Sequence, residues 1–292
     1  MADRPSAAPI PRAALIYDGS RPVLGERARA LRPIVEKHVE IVTVQDDLSG
    51  GFDPAGAELV VAMGGDGTIL RAARLMRYAQ LPVVAVNLGR LGFLADTPPD
   101  RLDESLAEIV RGERRIVDHL MFECTLVRGG GSSGGGECRL GLNEVAVLAG
   151  DPFQMIDVQL YVDGDLATTY GCDGMIVSTP VGSTAHNLSV GGPILRKDLA
   201  AFVISAINPH TLTVRPVVDT ADRVFEVVVI DPNPGTRLLV DGQVVGSIER
   251  GDRVRVERSE AVFQLIETTP GGYYGTLREK LGWGRRPRDQ KP

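Results

Sequence analysis

The chain has 292 residues and a formal net charge of −6, long enough for one large domain or two ordinary ones and of the wrong sign for a general binder of nucleic acid or anionic membrane. Lysine occurs only at Lys37, Lys197, Lys280 and Lys291, so the cations are nearly all arginine. The three cysteines, Cys124, Cys138 and Cys172, form no C-x-x-C pair and read as reduced packing thiols of a cytoplasmic protein, while no apolar run reaches membrane-spanning length.

Met1 to Pro11 is a polar, proline-rich arm without the apolar core of a signal peptide. Ala13 to Tyr17 predicts a first strand, ending at Asp18-Gly19. Gly25 to Lys37 predicts a helix that Pro33 must kink or shorten. A second strand follows over Val39 to Val44, then a polar loop from Gln45 to Gly56.

The next stretch organises the rest. Glu58 to Met63 is an apolar run, the signature of a buried strand. Gly64-Gly65-Asp66-Gly67-Thr68 is a glycine-rich turn carrying one carboxylate. Ile69, Leu70, Ala73 and Met76 then recur as one face of a helix ending near Tyr78, with Thr68 as its cap or first-turn residue. In an open α/β sheet this places Asp66 at the carboxyl end of a strand, where ligands bind. Glycines let backbone N–H groups approach a phosphate, and the helix start adds free N–H donors. A carboxylate there would repel phosphate unless a metal ion or a substrate hydroxyl sits beside it. Gly-Asp-Gly is also a common loop turn.

Val83 to Val86 predicts another strand, running into Asn87 to Leu94, whose asparagine and two glycines suggest a ligand-side loop. Arg101 to Arg111 reads as a helix. Strands alternating with helices imply a parallel sheet. Near Gly112 the pattern changes. Strands are expected over His119 to Arg128, Glu137 to Leu148, Met155 to Val162, Met175 to Thr179, Ala201 to Ala206, Val224 to Ile230, Thr236 to Val240 and Arg253 to Glu257. Asp163-Gly164 and Asp241-Gly242 are hairpin signals. Gly129 to Gly136 is low-complexity and reads as a flexible hairpin insertion, not a phosphate loop, because no strand-to-helix context surrounds it. Tyr274 to Trp283 reads as a helix that packs back on a domain.

Two further clusters carry polar groups. In Asp173 to Pro193 a strand runs into a turn and a short helix, and Ser183 and Thr184 could cap that helix or bond a phosphate or ribose. Asn143-Glu144 lies inside an otherwise apolar strand and needs partners, either structural groups or ribose hydroxyls. There is no Walker A sequence, no full G-x-G-x-x-G after a strand, and no H-E-x-x-H or paired-cysteine zinc site. Of the scattered His38, His119, His186 and His210, only His186 lies within a cluster.

Gly64 to Thr68, Asn143-Glu144, Asp173 to Pro193 and the closing Leu277 to Trp283 together resemble the NAD kinases. The glycine-aspartate turn alone is shared with diacylglycerol kinases, sphingosine kinases and phosphofructokinases; Thr179-Pro180-Val181-Gly182-Ser183-Thr184-Ala185, followed by Gly191-Gly192-Pro193-Ile194, is far more specific. The resemblance covers roughly residues 13 to 284. It implies an α/β, Rossmann-like N-terminal domain with a parallel sheet (1–115), an all-β sandwich that binds NAD (116–271), and a C-terminal helix and tail returning to the first domain (272–292). It implies transfer of the ATP γ-phosphoryl group to the 2′-hydroxyl of the adenosine ribose of NAD, with a divalent metal, Mg²⁺ by expectation. Asp66 matches the proton acceptor, and Gly64, Gly65 and Gly67 lie by the nucleotides. Asn143 and Glu144 match the ribose-holding pair. Asp173 matches the acid near the nicotinamide end, reached from a neighbouring chain of a homodimer or homotetramer. Thr184, Ala185, His186, Asn187, Leu188 and Ser189 match the adenine-lining segment, with Arg71 and Gln243 at weaker contact positions. Val181 stands where the family commonly has threonine, His186 where it has tyrosine, Asn187 where it has serine, and Gly171 where some members are basic. Two other readings compete. A lipid or sphingoid kinase would need a membrane-facing surface, which this acidic chain does not show. A non-catalytic NADP-binding regulator would lose Asp66, which is present.

Overall fold

The computed structural model describes residues 10–89, 92–129, 136–268 and 272–282. The chain divides into two compact units, Met1–Met76 with Leu81–Val117 and Gln264–Pro292, and Arg77–Gln80 with Asp118–Phe263.

The first unit alternates strand and helix: β1 (Arg12–Tyr17), α1 (Pro22–Glu36), β2 (Glu40–Gln45), β3 (Leu59–Gly64), α2 (Asp66–Met76), β4 (Val83–Asn87) and α3 (Leu102–Val110). The strands lie in the order β2-β1-β3-β4, all parallel. β3 and β4 are buried along their whole length, as parallel strands covered on both faces must be. Leu15, Val61, Met63, Val84 and Val86 meet Ala28 and Val35 of α1 and Leu102 and Leu106 of α3 in one core. Pro33 does not end α1, which runs unbroken to Glu36 and starts three residues earlier than expected, with Pro22 in the first turn where its missing N–H costs nothing.

The second unit is an antiparallel sandwich. Its strands are β5 (Ile116–Val127), β6 (Cys138–Gly141), β7 (Glu144–Leu148), β8 (Ile156–Val162), β9 (Asp165–Cys172) and β10 (Gly174–Ser178). After the one-turn helix α4 (His186–Ser189) come β11 (Ala201–Ile207), β12 (Val217–Thr220), β13 (Phe225–Val229), β14 (Arg237–Val240), β15 (Gln243–Ser247) and β16 (Arg253–Ile266). One sheet runs β12-β11-β10-β7-β14-β15; the other contains β16-β13-β8-β9, with β5 beside β16 and β6 beside β5. Between them Phe122, Val145, Val158, Val177, Phe202, Phe225, Leu238 and Val256 form a dry core. Phe202 meets Phe225 edge-on at 5.6 Å across it, a favoured aromatic geometry.

Both hairpin signals hold. Asp163-Gly164 and Asp241-Gly242 each take positive φ in two-residue loops joining β8 to β9 and β14 to β15, as tight hairpins require. Three strands were not expected, β9, β12 and β15. All three are edge strands or border one, with little apolar alternation to reveal them. β16 is far longer than Arg253 to Glu257. The expected strand Glu137 to Leu148 is instead two, β6 and β7, broken at Leu142-Asn143.

The helix α5 (Gly272–Leu281) belongs to the first unit. There Leu277 is buried and the Lys280 ammonium stands 4.2 Å over the Phe93 ring, a cation–π contact. Trp283 lies outside the described residues, as does most of the glycine-rich insertion. Its flanks are paired antiparallel, Thr125 opposite Cys138. Among the described residues no helix is long and apolar enough to cross a membrane.

Candidate active site

In the first unit the strand order reverses between β1 and β3, the place where open parallel sheets bind ligands beyond their carboxyl ends. Asp18 follows β1 there, and Gly64-Gly65 closes β3. Asp66 is the first residue of α2, so the helix begins two residues before Thr68, which is a first-turn residue and not the cap. The Thr68 side chain is buried against Gly64 instead, where a Cβ would strike it. Gly65 and Gly67 have ordinary φ and open space where a Cβ would stand. Among the described residues nothing in the packing demands glycine at those two positions, whereas a close ligand would.

The Asp66 carboxylate is not free. Its Oδ2 accepts the Phe93 N–H at 2.6 Å, and its Oδ1 accepts the N–H groups of Leu94 at 3.0 Å and Ala95 at 2.9 Å. A Cβ on Gly92 would overlap the same carboxylate. Asp66 therefore binds the 92–95 segment onto the glycine turn, and among the described residues one of about four acceptor positions remains, on Oδ2. Arg71 does not stand alone either: it donates to Asp18 at 3.0 Å. Asp18 is largely buried and also takes the Ser20 hydroxyl at 2.5 Å. Asp18 ends the first expected strand, and a carboxylate at the carboxyl end of a strand in an open parallel sheet is itself a ligand-side signal.

In the second unit Asn143 and Glu144 sit at the β6–β7 break. Asn143 is half-buried and Glu144 buried. Burial, with the Asp241 carboxylate next in weight, pushes the Glu144 carboxyl up to about 8, opposed by the His186 backbone N–H that bonds it. Its Oε2 has no partner among the described residues. Asp173 lies between β9 and β10, half-buried, and accepts the Asn208 side-chain amide at 3.0 Å. Gln243 is exposed at the start of β15.

The segment after β10 behaves differently from its capping reading. Neither its 3₁₀ turn nor α4 has a side-chain cap. The Ser183 hydroxyl donates to the Pro180 carbonyl at 2.6 Å and accepts the Leu195 N–H at 3.0 Å. The Thr184 hydroxyl donates to the Val181 carbonyl at 3.1 Å. Asn187 is fully buried: its amide donates to the Ser183 and Pro193 carbonyls, both at 3.1 Å, and accepts the Ser205 hydroxyl at 2.7 Å. Asn187 is thus an internal clamp, which accounts for the larger side chain at that position. Ala185, His186 and Leu188 are half-buried and Ser189 exposed, so the segment offers these residues outward. Of the other histidines, His119 is buried against Phe263, and burial lowers it to about 4. His38 pairs with Asp103.

Among the described residues no group of three His, Cys, Asp or Glu side chains could hold a metal. The residues present are compatible with a metal carried mainly by nucleotide phosphates and water, which needs no such cluster.

Comparison with known proteins decides among the kinase classes that share the glycine-aspartate turn. Residues 28–114 match the ATP-NAD kinase N-terminal domain and residues 142–268 the ATP-NAD kinase C-terminal domain. The chain is 46% identical over 258 residues to an NAD kinase of Rhodopirellula baltica, covering 88% of this chain and 82% of the relative. It is 37% identical over 265 residues to an NAD kinase of Geotalea daltonii, covering 89% and 90%. Among solved structures, an Archaeoglobus fulgidus NAD kinase in complex with ATP superposes with a TM-score of 0.72 at 27% identity, over 91% of this chain and 98% of that one. The yeast NADH kinase complexed with NADH shares the fold, with a TM-score of 0.84 at 21% identity, over 98% and 91%. On the family matches and these identities, the chain belongs to the NAD kinase family.

Proposed function

We infer that this chain is a phosphotransferase that moves the γ-phosphoryl group of ATP to the 2′-hydroxyl of the adenosine ribose of NAD, giving NADP and ADP. The observation that carries the reading is the glycine turn at the strand-order reversal, open at Gly65 and Gly67 and bearing Asp66, in a chain matched along both halves by NAD kinase domains. The lipid-kinase alternative has nothing to support it.

Phosphoryl transfer needs little covalent help from a protein; positioning and charge neutralisation supply most of the rate. In this reading the ribose hydroxyl oxygen forms a bond to the γ-phosphorus, the bond from that phosphorus to the β–γ bridging oxygen breaks, and ADP leaves. The hydroxyl proton passes to the open position on Asp66 Oδ2. The N–H groups held on the other acceptor positions keep the carboxylate oriented while it does so. Asn143 and Glu144 meet the ribose, Asp173 meets the nicotinamide end, and residues 184–189 line the adenine through Ala185, His186, Leu188 and Ser189. Arg71 and Gln243 add outer contacts. A divalent metal, Mg²⁺, supplies charge neutralisation on the ATP phosphates. The α/β unit carries the phosphoryl chemistry and the sandwich carries NAD, in a homodimer or homotetramer of the cytoplasm, where thiols such as Cys124 and Cys172 stay reduced.

The test is incubation of purified protein with ATP, Mg²⁺ and NAD, reading NADP through an NADP-specific dehydrogenase. Turnover that needs all three components is expected; none with NAD under any donor would refute the reading.

A further inference from the structure

The β6–β7 break is held by side chains where a strand ladder would have served. Asp241 Oδ2 accepts the Leu142 N–H at 2.9 Å, and Oδ1 accepts those of Asn143 at 2.7 Å and Glu144 at 3.2 Å. The Asp241 N–H returns a bond to the Glu144 carbonyl at 2.9 Å. From the other side the Thr179 hydroxyl donates to the Leu142 carbonyl at 2.6 Å and its N–H to the Asn143 carbonyl at 2.9 Å. A Cβ on Gly182 would strike that same Asn143 carbonyl. The direction in which Asn143 and Glu144 leave the backbone is thus set from outside their own strand.

Asp241 is also the first residue of the β14–β15 turn, with φ +46°. A turn of this kind accepts Asn, Asp or Gly alike. Nothing in the turn calls for a carboxylate that reaches three amides nearly one hundred residues away. Backbone bonds to a charged acceptor are stronger than those to a neutral one, and three of them converge on one residue here.

We propose that Asp241 is a positioning residue for the dinucleotide: it fixes the Asn143–Glu144 pair in the orientation that the ribose meets. The proposal rests on the reading that this pair binds NAD. The Asp241 charge lies beside the Glu144 carboxyl and disfavours its ionised form, so the same contact also favours a Glu144 that can donate a hydrogen bond.

Three variants test this by steady-state kinetics with NAD and ATP varied separately. Asp241→Gly keeps the positive φ and removes all three bonds. Asp241→Asn keeps the turn and at most two of the three bonds. Glu144→Ala removes a member of the pair itself. Expected are a rise in KM for NAD of about tenfold or more in Asp241→Gly and about threefold in Asp241→Asn, with KM for ATP within about twofold in both. If Glu144→Ala raises KM for NAD while Asp241→Gly leaves it within about twofold, the positioning role is refuted and the site reading stands. If Glu144→Ala leaves it unchanged, the site reading falls and takes the proposal with it. Equal losses for NAD and ATP would mark general destabilisation and overturn the role. Should Asp241→Gly not fold, Asp241→Asn decides: a KM for NAD within about 1.5-fold of wild type overturns the proposal.

Discussion

Asp66 meets three backbone N–H groups, and this changes what its amide variant reports. Asparagine presents one oxygen and one NH₂ in place of two oxygens, so Asp66→Asn turns a donor toward at least one of the Phe93, Leu94 and Ala95 amides. It is not the free substitution that a bare turn residue would allow. With Asp66 as the base, kcat should fall by about 10²-fold to 10⁴-fold with little change in KM for NAD. A variant keeping more than about half of wild-type kcat would end that assignment. Glu144 makes a second, opposite forecast about stability. Its folded carboxyl is raised from 4.5 to about 8. Below pH 4.5 it is protonated in folded and unfolded chains alike. Above that the unfolded chain releases the proton and the folded one keeps it, so stability falls as pH rises and levels off past pH 8. Glu144→Gln removes the penalty, so ligand-free protein should gain roughly 2–4 kcal/mol at pH 8 and less than about 1 kcal/mol at pH 5. Urea midpoints at the two pH values check it; equal gains at both would show that the carboxyl titrates normally.

At the scale of elements, the glycine-rich insertion separates into anchors and span. The Gly129 N–H bonds the Asp252 carboxylate at 3.1 Å, and a Cβ on Gly136 would strike the Leu126 carbonyl of β5, so both ends are held by packed neighbours. The residues between them, Gly130 to Gly135, have no side chain that could build a core. Replacing only these six with a two-residue turn should leave activity within about threefold, roughly 0.7 kcal/mol, because loop length is a weak cost. A hundredfold loss in the coupled assay would place the insertion at the site. The segment after β10 carries the opposite lesson. The Ser183 and Thr184 hydroxyls and the Asn187 amide are spent on the segment's own carbonyls and on Ser205. That makes a rigid element whose backbone and outward residues, not those two hydroxyls, are what a ligand would meet.

For the whole molecule, the expectation that Asp173 serves a neighbouring chain requires an assembly. Among the described residues Asp173 is half-buried and accepts the Asn208 amide on Oδ2, which leaves acceptor capacity for a second group. Light scattering under assay conditions should give twice or four times the chain mass. Full activity from a monomer would remove Asp173 from the shared role, and Asp173→Ala would then be expected to leave KM for NAD unchanged.

Much was readable from the residues in order. The apolar run before Gly64, the glycine turn and the helical spacing after it are short-range signals, and short-range signals placed β3, α2 and the ligand end of the sheet. Asp163-Gly164 and Asp241-Gly242 announced their hairpins because positive φ restricts which residues can sit there. The change from alternating helix and strand to strands alone marked the sandwich. What the chain order did not reveal is which backbone groups each polar side chain answers. Asp66 takes amides near residue 94, Asp241 takes amides near residue 143, and Asn187 reaches Ser205. The split of β6 from β7 falls where Asp241 takes the Leu142, Asn143 and Glu144 amides, a contact the local sequence does not announce. A carboxylate or amide bonds whatever donors the packing of distant segments brings within about 3 Å, and only the tertiary structure brings them there.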